Sequence, residues 1–264
     1  MLISSKDNRI IKDAVKLREK KYRDASGCFL IEGPGAVREA AQQGGRLRFI
    51  FTRAGASISE ADLGLSGQVP AVYETTDDVF ARLSDTETPQ GVVAVAEKPV
   101  WREADIFSEE DANVLVLDRV QDPGNMGTLL RTAEAMGFAG ALLVKGCCDC
   151  WAPKVVRSAA GSLLRLPVLQ AESAGDALKL LESHGKTCWV AVMDGETACY
   201  EADLARGAAV IIGNEGRGAS EVFLEKARGL RIPMAGKTES LNAAYAGAII
   251  MYESLRQRLA AGER

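Results

Sequence analysis

The sequence predicts an α/β protein whose carboxyl-terminal part is built on a mostly parallel sheet. Three observations carry that expectation. Apolar runs such as "VLVLD" (114–118) and "AAVIIG" (208–213) show no polar alternation, as strands buried on both faces require. Patterns with a helical period separate these runs, as in repeated βα units. Aromatics make up only 6% of the 264 residues while glycine numbers 26, which suits closely packed layers.

In chain order, residues 5–23 read as a helix, with apolar spacing near the helical period and no Pro or Gly. "CFLIEG" (28–33) is a short buried strand closed by glycine. "GAVREAAQQGG" (35–45) is a helix stopped by its glycine pair, and "LRFIFT" (47–52) a strand. Residues 70–85 give a strand and then a helix capped by Thr75 or Thr76, and "GVVAVAEKP" (91–99) is a strand ended by proline. A small amino-terminal α/β domain therefore spans 1–99. Residues 100–113 are polar and weakly periodic, a linker with at most one helical turn. The domain 114–264 follows: "VLVLD", a helix 126–136, "GALLVK", a helix near 153–161, "RLPVL", a helix 173–184, "TCWVAVMD", "AAVIIG", a helix 219–227, "GLRIPM" and a long final helix 240–259. In such sheets ligands gather outside the carboxyl ends of the strands.

An apolar fraction of 47% and a charged fraction of 26% belong to ordinary globular proteins. No apolar run reaches the ~18 residues of a membrane span. Met1 to Lys12 is basic and polar, without the apolar core of a signal peptide, so the expected compartment is the cytoplasm. Six cysteines are then expected as thiols. The net charge of −4 hides a gradient: residues 1–53 carry 12 Lys or Arg against 6 Asp or Glu, and residues 54–111 carry 3 against 13. A basic amino-terminal segment on an acidic chain fits a polyanion partner. A solvated helix with its apolar stripe (Ile10, Ile11, Ala14, Val15, Leu17) on the core carries the same pattern.

Several motifs point away from nucleotide and metal chemistry. "GPGAVR" (33–38) has Arg38 where a dinucleotide fingerprint needs its third glycine. "GKT" (236–238) would need a glycine at position 231, which is arginine. "CCDC" (147–150) is too crowded for structural zinc, and no second Cys/His pair lies nearby, so no metal is expected. The sole histidine, His184, falls at a helix end before Gly185, and a histidine-based triad is not expected.

Three segments share one design, an apolar strand running into a loop with Gly, Asn or Pro and a functional side chain. The first, "DPGNMG" (122–127), reads as a sharp turn with Asn125, followed inside the helix by Arg131. The second is "GNEG" (213–216), with Asn214 and Glu215 at the strand end. The third runs from "IPM" (232–234) to Ser240, Leu241 and Asn242, where free helical N–H groups favour an anion. Ile232 and Met234 offer an apolar wall, and glycines let backbone amides approach a ligand. Each alone is an ordinary turn with an N-cap; three in one domain point to a shared pocket.

"DRVQDPGNMGTLLRTAEAMGF", "VIIGNEGRGAS" and "IPMAGKTESLNAAYAGAIIMYE" together resemble the three ordered motifs of the SpoU (TrmH-like) family of SPOUT-class methyltransferases, across residues 114–257. "SSKDNRIIKDAVKLREKKYRDASGCFLIEGPGAVREA" resembles the substrate-binding domain often fused to that family. The resemblance implies methyl transfer from S-adenosylmethionine to a ribose 2′-hydroxyl of structured RNA, a deep carboxyl-terminal trefoil knot and a homodimer through the carboxyl-terminal domain. Carried over by residue, Asn125, Arg131, Glu215, Ser240 and Asn242 match its polar signature. Gly213, Ile232 and Leu241 match backbone positions that hold the cofactor, with Asn214, Met234 and Ala243 lining the same pocket. Ala243-Ala244 stand where the family favours bulkier β-branched residues, and the cysteines of "CCDC" depart from its pattern.

On this reading Arg131 clamps a phosphate and stabilises the developing alkoxide, since a guanidinium keeps its proton in proteins and cannot serve as a simple base. Ser240 or a water relays the proton, and Glu215 orients Arg131 or Asn125. Lys6, Arg9, Lys20, Lys21 and Arg23 are the expected contacts to RNA phosphates. Ribosomal RNA, of the large subunit, is favoured as substrate. Transfer RNA, or an RNA-binding role without catalysis, is the alternative.

Overall fold

The structure, a computed structural model, describes residues 2–56, 58–65 and 70–262. The chain divides into two compact units. The first comprises Met1–Val100 and Asp149–Leu164, the second Trp101–Cys148 and Arg165–Arg264. No single cut separates them.

The first unit begins with β1 (Leu2–Ile3), α1 (Arg9–Lys16), α2 (Lys20–Ser26), β2 (Cys28–Glu32), α3 (Pro34–Gln42), β3 (Leu47–Arg53), β4 (Ala71–Thr75), α4 (Asp77–Leu83) and β5 (Val92–Glu97). Its sheet order is β1-β4-β3-β5-β2, with β1, β4 and β3 parallel and β5 antiparallel to both β3 and β2. The helix read over 5–23 is two helices. Asn8 caps α1, and the backbone turns extended at Glu19 before α2. The break has a physical cause: the Arg23 guanidinium donates to the Leu17 and Arg18 carbonyls, both at 2.7 Å, which satisfies acceptors that a continuous helix would have used. The core gathers Ile11, Ala14, Leu17, Phe51, Phe80 and Val93.

The second unit opens with α5 (Glu103–Phe107), β6 (Val114–Asp118), α6 (Pro123–Ala135) and β7 (Gly140–Val144). The chain then returns to the first unit for α7 (Pro153–Ala159). There α7 packs on β2, and Trp151 meets Phe29 with ring centroids 4.7 Å apart. The helix read into the carboxyl-terminal domain near 153–161 thus belongs to the amino-terminal core.

The second unit resumes with β8 (Val168–Ala171), α8 (Ala174–Ser183), β9 (Thr187–Ala191), β10 (Thr197–Ala198), β11 (Ala208–Ile212), α9 (Glu221–Lys226), β12 (Arg228–Arg231) and α10 (Ala243–Ala260). Its seven strands run β10-β12-β9-β11-β6-β7-β8, parallel at every pairing. Strands β6, β7 and β11 are buried at every residue, which explains their unbroken apolar runs. The two-residue strands β1 and β10 are too short to show a period and escape sequence reading.

Two helix starts differ from the sequence reading. The segment "DPGNMG", which reads as a turn before a helix at 126, forms the N-cap and first turn of α6. Pro123 occupies the opening position, where its missing N–H costs nothing, and Asp122 Oδ1 accepts the Asn125 amide at 2.8 Å. The final helix starts at Ala243 rather than 240: Asn242 is the N-cap, its Oδ1 accepting the Ala244 and Tyr245 amides at 2.8 and 3.4 Å.

Candidate active site

The central pair β6 and β11 run parallel in register, Leu117 beside Ile212, so their carboxyl ends release the loops at 119–122 and 213–220 side by side. Gly213 is required by close approach: a Cβ there would lie 2.4 Å from the Ala219 amide nitrogen. Backbone bonds between Asn214 and Gly218, 3.0 and 2.9 Å, close the second loop. Asn214 Oδ1 takes the Gly216 and Arg217 amides at 3.0 and 2.9 Å. Glu215 is thereby presented to the start of α6, where its carboxylate accepts the Gln121 and Asp122 amides and, at 3.0 Å, Asn125 Nδ2.

The chain of bonds continues. Asn125 Oδ1 accepts Asn242 Nδ2 at 3.0 Å, and Asn242 Oδ1 accepts the first amides of α10. A carboxylate can only accept and a backbone amide can only donate, so the two ends fix which way both asparagine amides point. Partial burial pushes the Glu215 carboxyl up. The hydrogen bonds from Asn125 and from its own, the Gln121 and the Asp122 amides outweigh that, and hold it below its ordinary value of 4.5.

Asn125, Glu215 and Asn242 are therefore bonded together, with Gly213, Asn214, Leu241 and Ala243 on the same loops or one residue away. Arg131 is not bonded to them. It is exposed, further along α6, with no hydrogen bond or ion pair among the described residues. Ser240 lies outside the helix first read around it, two residues ahead of the cap. Residues 233–241 are exposed, and among the described residues no backbone hydrogen bond holds them. The segment follows half-buried Ile232 and carries the exposed side chains of Met234 and Leu241. Exposed apolar side chains interspersed with backbone groups that have no protein partner among the described residues suit a flat heterocycle with polar edges. A separate cavity of about 680 Å³, bounded by Asp105, Asn113, Gly137, Arg206 and Arg258, opens at the amino ends of β6 and β7, the opposite end of the sheet.

The remaining singled-out residues have structural explanations. Arg23 is not a surface cation. It is 3% exposed and its Nη2 meets Asp149 Oδ2 at 2.5 Å, so burial removes it from the expected RNA contacts. Lys6, Arg9, Lys20 and Lys21 are exposed, each beside a carboxylate: Asp78, Asp13, Asp24 and Glu19. His184 caps α8, stacks on Phe107 at 4.3 Å and bonds Glu103 at 2.7 Å. The Cys147 thiol donates to the Leu117 carbonyl, and burial pushes it up to about 12, which keeps it protonated and unreactive. Sequence reading missed Asp122, whose cap aims Asn125. An acidic residue directly before Pro-Gly at a helix start was the available signal.

Residues 112–252 match the SpoU rRNA Methylase family, and residues 8–94 match the MRM3-like substrate binding domain. The 23S rRNA (guanosine(2553)-2′-O)-methyltransferase RlmP of Bacillus subtilis is 34% identical, over 95% of this chain and 97% of its own. The AdoMet-bound rRNA methyltransferase from Sinorhizobium meliloti superposes with a TM-score of 0.85 at 29% identity, covering 97% of this chain and 98% of its own. The SpoU methyltransferase AviRb from Streptomyces viridochromogenes, in complex with AdoMet, gives 0.85 at 28% identity, covering 96% and 100%.

Proposed function

The chain belongs to the SpoU rRNA methylase family, and on that premise we propose that it methylates a ribose 2′-hydroxyl of large-subunit ribosomal RNA. It is an RNA methyltransferase that uses S-adenosylmethionine. The observation that carries the ribosomal reading is the span of the similarity. The Bacillus subtilis relative, named for 23S rRNA, matches across both the amino-terminal unit and the sheet of the second unit.

S-adenosylmethionine, when bound, supplies a methyl group on an electrophilic sulfonium. The backbone of residues 233–241, with Gly213, Asn214, Ile232, Met234, Leu241 and Ala243, holds it. The Glu215–Asn125–Asn242 chain fixes the three loops relative to one another before substrate arrives, and such positioning can supply roughly 7–11 kcal/mol of the barrier. Arg131, which has no partner among the described residues to give up, clamps the phosphate beside the target ribose and stabilises the developing alkoxide. Ser240 passes the hydroxyl proton to solvent. Lys6, Arg9, Lys20 and Lys21 grip the RNA backbone. Exposed ion pairs contribute little net stability, so exchanging their carboxylates for phosphates costs little.

The proposal extends to a homodimer through the second unit, in which the chain threads a trefoil knot. Tyr245, Ile249 and Tyr252 support the dimer. They recur at helical spacing along α10 and are 69%, 41% and 58% exposed, an apolar face beside the Asn242 cap that a second copy would cover. We place the enzyme in the cytoplasm, where a reducing environment suits six cysteines that form no disulfide. Among the described residues no helix is long and apolar enough to cross a membrane.

Mapping ribose methylation in total RNA from cells with and without the gene tests the function. One 2′-O-methyl group in the large-subunit rRNA should disappear. A loss confined to transfer RNA, or no loss, would reject it.

A further inference from the structure

The Asp118–Arg119 step at the end of β6 has no part in the chemistry above, yet it is bonded to both ends of the 213–220 loop. Asp118 is fully buried, and its Oδ2 accepts the Ser220 amide at 2.5 Å. Its Oδ1 faces Arg119 Nε at 3.2 Å. The Arg119 carbonyl accepts Asn214 Nδ2 at 2.8 Å, and its Nη2 donates to the Gly218 carbonyl at 3.4 Å. Asn214 opens the loop; Gly218 and Ser220 close it.

Arg119 also carries an unusual backbone. Its φ is +59°, the left-handed region that a non-glycine residue holds only when its surroundings impose it. Its neighbour across the sheet edge, Gly146, leaves it the room: a Cβ on Gly146 would lie 3.0 Å from Arg119 Cγ. The left-handed turn aims the Arg119 carbonyl at Asn214 while the side chain reaches Gly218. An arginine at the mouth of an RNA site would ordinarily be counted as a phosphate contact. This one is only 34% exposed and faces a carboxylate that no water reaches.

We propose that Arg119 is a positioning residue, whose left-handed backbone and guanidinium together set the 213–220 loop so that Glu215 meets Gln121, Asp122 and Asn125. The proposal rests on the methyl-donor reading of those loops for its effect on binding, but its effect on the loop itself does not depend on that reading.

The test compares the wild type with Arg119→Gly, which keeps the left-handed backbone without the guanidinium, and Arg119→Lys, which keeps the charge near Asp118 but lacks the second N–H for Gly218. Hydrogen–deuterium exchange of a peptide covering 213–220 reads the loop. Calorimetry with S-adenosylhomocysteine reads the site. In Arg119→Gly, loop exchange should quicken about tenfold and the Kd should weaken about tenfold, the scale of one lost charge-assisted bond, with the rise in KM for the methyl donor exceeding the fall in kcat. Arg119→Lys should recover part of both. Unchanged exchange with unchanged Kd would overturn the proposal. So would a flatter salt dependence of RNA binding with an intact loop, which would make Arg119 a phosphate contact. If the wild type binds no S-adenosylhomocysteine, the methyl-donor reading fails, and the exchange result alone still decides whether Arg119 positions the loop.

Discussion

Asn242 Nδ2 and Asn125 Oδ1 meet at 3.0 Å although 117 residues separate them in sequence. This bond ties the N-cap of α10 to the first turn of α6. Asn242→Asp isolates it. Aspartate caps a helix as well as asparagine does, so α10 should keep its start, and the melting temperature should stay within a few degrees. The new carboxylate would face Asn125 Oδ1, acceptor against acceptor. Cofactor affinity should fall about tenfold or more by calorimetry. Unaltered affinity would mean that the bond does not organise the pocket.

Arg131→Lys should leave cofactor binding intact and remove most methyl transfer, because lysine lacks the planar fork that holds a phosphate bidentately. Calorimetry paired with a radiolabelled methyl-transfer assay separates the two effects. Near-normal turnover would refute the role given to Arg131.

Glu215 makes stability depend on pH in a defined direction. Its carboxyl lies below the ordinary value because hydrogen bonds from Asn125 and the nearby amides outweigh the burial that raises it. A group with a depressed folded-state pKa stabilises the fold above its unfolded value, and that contribution fades as pH falls through the folded value. Glu215→Gln should therefore unfold more easily than the wild type at pH 7, and the gap should close as pH falls below the ordinary carboxyl value of 4.5 and through the lower folded-state value. Urea titrations across that range measure it. A constant gap would assign the loss to shape rather than charge.

The basic segment divides into two classes. Replacing Lys6, Arg9, Lys20 and Lys21 together by alanine should weaken RNA binding and flatten its salt dependence while leaving the fold unchanged. Arg23→Ala should do the reverse. It strands the buried Asp149 carboxylate and two helix-end carbonyls, at a cost of about 3–5 kcal/mol in thermal or denaturant unfolding.

Ile249→Asp should shift the protein toward monomer in sedimentation velocity without melting α10, since that side chain lies on the exposed face of the helix. A wild type that is already monomeric at micromolar concentration would reject the dimer.

The interior strands were readable because burial on both faces removes polar residues, and the three loops were readable because each needs Gly, Asn or Pro at fixed places. What escaped depended on partners distant in sequence. Arg23 looks like its exposed neighbours Lys20 and Lys21 until Asp149 is brought to it. "DPGN" serves equally as a turn or as the opening of a helix, and the Asp122 cap decides between them. Ser240 stands ahead of its helix because Asn242 is the residue whose side chain accepts the first amides of α10. Periodicity reported a helix near 153–161 but not that β2 would be its neighbour. Nothing in an arginine's identity announces a left-handed backbone.

The excursion of residues 149–164 into the first unit sets an order on biogenesis. During translation the amino-terminal sheet can form as soon as β5 emerges, but its Arg23 lacks Asp149 and its Phe29 lacks Trp151. About fifty further residues must be synthesised first, several seconds at roughly 5–20 residues per second. By then β6, α6 and β7 are already on the nascent chain. The unit first to begin folding is thus obliged to finish after its successor has started, and a fragment ending at residue 100 would keep a buried cation without its counter-ion.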